Sequence, residues 1–139
     1  MIEAPFHCGM EAVLDLVGAK WKLLIVFHLG GKRCRFRELR RLVGEVSEKM
    51  LSQQLKEMAA DGVVRRIDFR TVPPHVEYEL TKFGSDLSSA MQPICEWGSQ
   101  NMDKLVAISA ARSMRNAGLG RAGVKAAQPR RDISQTPRG

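Results

Sequence analysis

Apolar and polar positions recur at helical spacing near the start of the chain. Residues 11–17 form a short amphipathic segment that Gly18 interrupts, and residues 20–29 are apolar on nearly every side. Gly30 and Gly31 follow, and glycine readily adopts the positive φ with which many helices end. This pattern predicts two helices, of which the second is buried in the centre of the core.

The next two predicted helices are joined by a short turn. In residues 35–43 the apolar side chains share one face, which leaves several arginines elsewhere. Residues 44–46 predict a tight turn, and Ser47 is a candidate N-cap for a helix over residues 47–61. The face opposite the apolar stripe of that helix is polar, and it holds Lys49, Ser52, Gln53 and Lys56.

After this helix the pattern changes to alternation. Residues 63–69 alternate loosely and residues 76–80 alternate cleanly, which predicts the two strands of a β-hairpin. Pro73 and Pro74 lie between them, and proline cannot donate a hydrogen bond to a strand ladder. The hairpin should therefore have a long tip that the two prolines stiffen.

The last predicted helix covers residues 82–111, with Thr81 as its cap. Pro93 should kink it, because proline lacks the N–H of a helical hydrogen bond. From residue 112 onwards the chain has no aromatic residue and little apolar area to offset the entropy of ordering. We therefore expect a domain over residues 1–111, with dimerisation helices at both ends, and a basic, disordered tail over residues 112–139.

The formal net charge of +7 is unevenly distributed along the chain. Residues 111–139 hold seven bases against one acid, whereas residues 1–110 hold fifteen bases against fourteen acids. Within that nearly neutral body, residues 32–41 carry six bases against Glu38 alone. A local basic patch indicates a polyanionic partner at a defined surface. The alternative is a solvated, charged helix face.

The order of elements predicts a winged helix-turn-helix, a mainly α fold with a small β-hairpin wing. The second helix of such a unit fits the major groove of DNA, where glutamine can pair with adenine. Arginines of the preceding helix and bases of the wing suit the phosphate backbone. The candidate DNA-binding residues are Arg37, Arg40, Arg41, Ser47, Lys49, Ser52, Gln53, Lys56, Arg66, Arg70 and His75.

The apolar stripe of the last helix is longer than one subunit can cover. A self-complementary patch gives a two-fold homodimer, and residues 11–17 should then cross the long helix of the partner. The alternative is that the stripe folds back on its own core. The candidate interface residues are Val13, Leu87, Met91, Ile94, Met102 and Leu105.

The three cysteines form neither a disulfide framework nor a closely spaced pair of zinc ligands. No metal or other cofactor is therefore expected. Cys8 lies just ahead of the first helix, where the helix dipole favours a thiolate. Cys34 has basic neighbours that could activate it, and Cys95 lies near the apolar stripe. The alternative is that all three are small packing residues.

Several other classes of protein do not fit the sequence. No apolar run approaches the length that spans a bilayer, and an acidic residue stands where a signal peptide has bases, so we expect a cytoplasmic protein. The chain has no phosphate-binding glycine loop and no set of catalytic residues, so no enzyme is predicted. A winged helix that serves only protein–protein association remains an alternative.

Several stretches of the chain follow the pattern of one known family, namely LVGAKW at 16–21, FREL at 36–39, SEKMLSQQL at 47–55, VPPHVEYELT at 72–81 and CEWG at 95–98. On these stretches the chain, from Cys8 to about Met102, resembles the HxlR-type winged-helix regulators, distant relatives of the MarR regulators. The resemblance implies a bacterial transcription regulator that binds an inverted-repeat operator as a homodimer through its N- and C-terminal helices. It also implies an oxidant or electrophile as a possible effector at Cys8, although Gly9 stands where the family usually has proline.

Overall fold

The computed structural model describes residues 5–126. Within that range the backbone divides into two compact units between Gln92 and Pro93. The elements, in chain order, are α1 Gly9–Val17, α2 Lys20–His28, β1 Cys34–Arg35, α3 Phe36–Val43, α4 Glu48–Ala60, β2 Val64–Asp68, β3 Val76–Leu80, α5 Lys82–Gln100 and α6 Met102–Ala126.

The core of the first unit forms around α2. Ile25 and Val26 of this helix are fully buried, as its apolar sequence predicts. Phe27 is 48% exposed, so the prediction of a helix buried on nearly every side is wrong for that residue. Because α3 and α4 each turn one apolar face inwards, their polar faces remain exposed. The other fully or almost fully buried apolar side chains of this cluster are Leu29, Cys34, Leu39, Val46, Leu51, Leu55, Met58, Val63 and Val64.

A short turn joins α3 to α4, as the sequence predicts. Gly44 has a φ of 112°, a backbone conformation that would be strained for any residue with a side chain. Ser47 caps α4, because its Oγ accepts a hydrogen bond from the backbone N–H of Met50 at 3.0 Å. Arg40 holds the turn from the other side, since its Nε donates to the carbonyl oxygen of Val46 at 2.9 Å. The two helices therefore form a helix-turn-helix with a fixed turn.

The wing is the hairpin of β2 and β3, in the strand positions that alternation predicts. The sheet has a third, antiparallel strand, and its order is β1-β3-β2. The sequence analysis was wrong about Arg35, which it assigned to the following helix, because Cys34 and Arg35 pair with Tyr78 and Glu77. A strand of two residues shows no period of its own, and its hydrogen-bonding partner lies far along the chain.

Thr81 connects the start of α5 to the turn that follows α4. Its Oγ1 donates to the carbonyl oxygen of Gly62 at 2.6 Å and accepts from the N–H of Gly84 at 3.1 Å, which confirms the predicted cap. An added Cβ on Gly84 would overlap the carbonyl oxygen of Val63. This position therefore needs glycine, because the helix passes so close to the preceding backbone.

The C-terminal helical region differs from the single helix over residues 82–111. The structure carries α5 through Pro93 and ends it before Asn101, whose Nδ2 donates to the carbonyl oxygen of Trp97 at 2.8 Å. Asparagine side chains compete in this way with helical backbone bonds. The structure continues α6 to Ala126, where a tail without structure was expected. Alanine, arginine and methionine favour helix there, whereas residues 127–139 lie outside the described part.

Candidate nucleic-acid interface

The outward face of α4 is polar, as its spacing predicts. Its exposed residues line a shallow depression of about 440 Å³. The opposite face is buried by Leu51, Leu55 and Met58. Met50 is also exposed on this helix. The side chains that line the depression are all hydrogen-bonding or charged groups, namely Lys49, Ser52, Gln53, Lys56 and Glu57.

Glu57 belongs to this face, although the sequence analysis did not select it. Gln53 Nε2 donates to Glu57 Oε2 at 3.2 Å, and Lys22 Nζ of α2 lies 2.8 Å from Glu57 Oε1. The hydrogen bond from Lys22, and then that from Gln53, hold the pKa of Glu57 below its ordinary value. The spacing of four residues could have indicated the contact between Gln53 and Glu57. Nothing local could have indicated Lys22.

The arginines of α3 differ in what they bind. Arg37 and Arg41 are exposed, and neither forms an ion pair within the part of the chain that the structure describes. Arg40 is half-buried and holds the turn, and its Nη1 lies 3.5 Å from Glu48 Oε2. The three arginines and Ser47 line one groove of about 710 Å³. Arg37 and Arg41 are therefore available to bind an anion, whereas the guanidinium of Arg40 is already bound to the turn between α3 and α4.

The wing joins this surface through a neighbouring groove. Pro74 and Val76 line a space of about 670 Å³ together with Arg37 and Arg41 of α3. The tip of the wing and the basic side of α3 thus face the same groove. A polyanion along α3 would therefore meet the wing as well.

The three predicted wing contacts are placed differently. Arg66 is exposed, and its one ion pair within residues 5–126 is a long contact with Asp68, at 3.9 Å. Arg70 is exposed and has a φ of 54°, and its backbone N–H donates to Asp68 Oδ1 at 2.8 Å. His75 is half-buried and its Nε2 lies 2.7 Å from Glu77 Oε2. Arg66 and Arg70 are thus available to a partner, whereas His75 is engaged within the wing.

The cysteines occupy three different environments. Cys8 is exposed and stands as the residue just before α1. Cys34 is fully buried in the core, and burial raises the pKa of its thiol. The expectation that basic neighbours could activate Cys34 is therefore wrong, because burial and Glu38 together outweigh Lys32. Cys95 lies in α5 and is half-buried.

The candidate interface residues fall into two groups. Leu87 and Met91 pack against the core of their own subunit. For these two residues the structure agrees with the alternative in which the stripe folds back on its own core. Val13, Ile94 and Met102 are exposed, and Leu105 is half-buried. The sequence analysis missed further exposed apolar side chains in the same helices, namely Met10, Leu14, Trp97 and Val106.

Neither a metal site nor a membrane span is found in the described range. Residues 5–126 contain no cluster of three histidine, cysteine or acidic side chains that could hold a metal ion. None of the helices in that range is long and apolar enough to cross a membrane.

Comparison with known proteins identifies the architecture. Residues 16–106 match the HxlR-like helix-turn-helix family. The chain belongs to this family. The HTH-type transcriptional regulator YtcD of Bacillus subtilis is 40% identical over 105 residues, which cover 76% of this chain and 83% of YtcD. HxlR-family relatives are transcription regulators and not enzymes, so this chain is a helix-turn-helix transcription regulator.

Two solved structures show the same fold. The crystal structure of YtcD superposes with a TM-score of 0.64 at 42% identity, covering 69% of this chain and 98% of that one. The redox regulator HypR in its oxidized form superposes with a TM-score of 0.64 at 41% identity, covering 68% of this chain and 97% of HypR. These likenesses confirm the predicted winged helix-turn-helix and the predicted HxlR family.

Proposed function

We propose that this HxlR-family regulator binds an inverted-repeat DNA operator as a homodimer and loses that operator when Cys8 is oxidised or alkylated. The observation that carries the DNA-binding part is the exposed polar face of α4 beside two arginines, Arg37 and Arg41, that no carboxylate engages within residues 5–126. A major groove is wide enough for one helix, and its walls are phosphates.

The residues of this surface contact different parts of the DNA according to their chemistry. Gln53 and Ser52 reach base edges, because amide and hydroxyl groups both donate and accept. Arg37 and Arg41 lie on phosphates, together with Lys49 and Lys56 at the edges of α4. Wing contacts come from Arg66 and Arg70, the two wing bases that the fold leaves exposed.

Dimerisation places two such surfaces on one DNA duplex. The apolar side chains of α1 and of the second unit are exposed to water in a single chain. In the dimer a second copy of the chain buries them with two-fold symmetry. The two α4 helices then enter successive major grooves, about 34 Å apart. The interface consists of Val13, Ile94, Met102 and Leu105, and it is supported from the core by Leu87 and Met91.

Cys8 is the proposed sensor of an oxidant or an electrophile. It is exposed and directly precedes α1, one of the proposed dimer helices. A peroxide takes the thiolate to a sulfenic acid and leaves hydroxide, and a quinone adds to the same sulfur. Either product places a new group beside the subunit contact and tilts the two α4 helices away from the groove spacing. The solved relative HypR is itself named a redox regulator.

Arg41→Ala and Gln53→Ala should separate phosphate contact from base reading. Arg41→Ala should weaken binding to all sequences and reduce the slope of affinity against salt by about one unit. Gln53→Ala should instead relax the preference at one base pair, by about 1–3 kcal/mol. Titration of specific and random duplexes at two salt concentrations measures both effects.

The matched control for charge is Lys82→Ala, which removes a base that is paired with Asp86 on α5. It should leave both affinities unchanged. Equal losses on specific and random DNA for Gln53→Ala would remove Gln53 from the base-reading set. Absence of any DNA binding by the wild type would favour the protein-association alternative.

A further inference from the structure

A chain of three polar side chains links the core to the DNA-facing surface of α4. Lys22 starts it from α2, where only 14% of its side chain is exposed, and its Nζ lies 2.8 Å from Glu57 Oε1. The other carboxylate oxygen of Glu57 accepts a hydrogen bond from Gln53 Nε2 at 3.2 Å. The core helix α2 is thus connected to the amide of the proposed base reader.

The contacts from Lys22 to Glu57 and from Glu57 to Gln53 fix which end of the Gln53 amide faces outwards. An ionised carboxylate only accepts hydrogen bonds, so the amide must turn its NH₂ group towards Glu57. A glutamate of ordinary pKa is already ionised at neutral pH. Hydrogen bonds from Lys22 and then from Gln53 lower the pKa of Glu57 further, so the carboxylate remains an acceptor. Gln53 is left with its Oε1 acceptor and one remaining N–H for a base.

We propose that Glu57, held by Lys22, is a positioning residue that orients the Gln53 amide to read adenine. Adenine presents an N6 donor and an N7 acceptor in the major groove, which match the free Oε1 and the remaining N–H. Guanine presents two acceptors, which a freely flipping amide can meet with its NH₂ group. This inference rests on the proposed function of α4.

Stability alone does not account for the arrangement. Replacing a partly buried ion pair by apolar side chains is often neutral for folding, and this pair has 14% of Lys22 and 44% of Glu57 exposed. A bare carboxylate on this face would also repel DNA phosphates. Lys22 offsets that charge from beneath, so the face keeps an orienting acceptor at a reduced electrostatic cost.

The test compares Lys22→Met and Glu57→Gln with Lys22→Arg as the matched control. Binding is measured on operator duplexes that carry each base pair at the position where Gln53→Ala loses its preference. Both test variants should lower the adenine-over-guanine preference there about fivefold or more, which is the lower range for one bidentate contact. Lys22→Arg should keep the preference, because it keeps the cation.

A second readout separates positioning from a general effect on charge or folding. Affinity for random DNA should rise in Glu57→Gln, which removes an anion, and fall in Lys22→Met, which leaves that anion without its partner. Preference at the Gln53 base pair should fall in both. Thermal unfolding checks the fold of each variant.

Four outcomes decide the proposal. The predicted pattern, with no further change when Glu57→Gln is added to Gln53→Ala, supports it. Unchanged adenine preference in Glu57→Gln, while Gln53→Ala loses it, overturns the positioning role and leaves the proposed function intact. A change caused by Glu57→Gln in the Gln53→Ala background would show that Glu57 reads the base itself. A wild type without any base preference would overturn this inference and the proposed function together.

Discussion

Replacing Ile94 with aspartate is expected to lower the affinity for a two-half-site operator about 100-fold or more, because the second half-site no longer gains from tethering. Ile94 is 69% exposed in α5, so aspartate costs little in a single chain. In the proposed interface the same substitution buries a charge without a partner. Sedimentation measures dimer loss, and titration with full and half operators measures the affinities.

Gln92→Asp is the matched control for the Ile94 variant. It introduces the same charge on the same helix at an exposed residue about 200° away around the axis. The control should remain dimeric and bind the full operator like the wild type, and both variants should bind a half-site equally well. A dimeric Ile94→Asp protein with wild-type affinity would contradict the interface, as would a wild type that is monomeric at micromolar concentration.

Mild peroxide is expected to lower the operator affinity of the wild type about 100-fold, if oxidation releases one half-site, and to leave Cys8→Ser unaffected. Cys8 is exposed at the start of α1, so an oxidant reaches it in the folded protein. The same titration with a quinone tests alkylation. Mass spectrometry of the treated protein identifies the modified sulfur.

Cys34→Ala and Cys95→Ser serve as controls for the other two thiols. Alanine is the better choice at position 34, because a buried serine hydroxyl would need a hydrogen-bond partner. Both variants should lose the operator on oxidation as the wild type does, since burial keeps Cys34 from reacting. If Cys8→Ser loses its DNA as readily as the wild type, Cys8 is not the sensor.

The parts of the fold that sequence predicts are those with a strong local signal. The polar face of α4 follows from the spacing of Leu51, Leu55 and Met58, and its start follows from the cap at Ser47. Alternation predicts the strands of the wing. Each signal lies within a single element, so it can be seen without knowing what packs against it.

The parts that sequence does not predict depend on contacts between distant residues. Cys34 looks activated among its basic neighbours, yet pairing with Tyr78 and packing in the core bury it. Lys22 looks like one more charge on a helix, yet it reaches Glu57 on another helix. The end of α5 at Asn101 depends on a side-chain hydrogen bond whose strength relative to helix propensity no local pattern gives.

Selection of bound sequences from a pool of random duplex DNA tests the central claim most directly. The proposed dimer with α4 in the major groove predicts an enriched inverted repeat whose half-sites lie about 10 base pairs apart, centre to centre. Each half-site should contain the adenine that Gln53 reads, and that position should lose its enrichment when the selection is repeated with Gln53→Ala. Recovery of sequences no different from the starting pool, at a salt concentration where the protein still binds DNA, would contradict sequence-specific recognition by this surface.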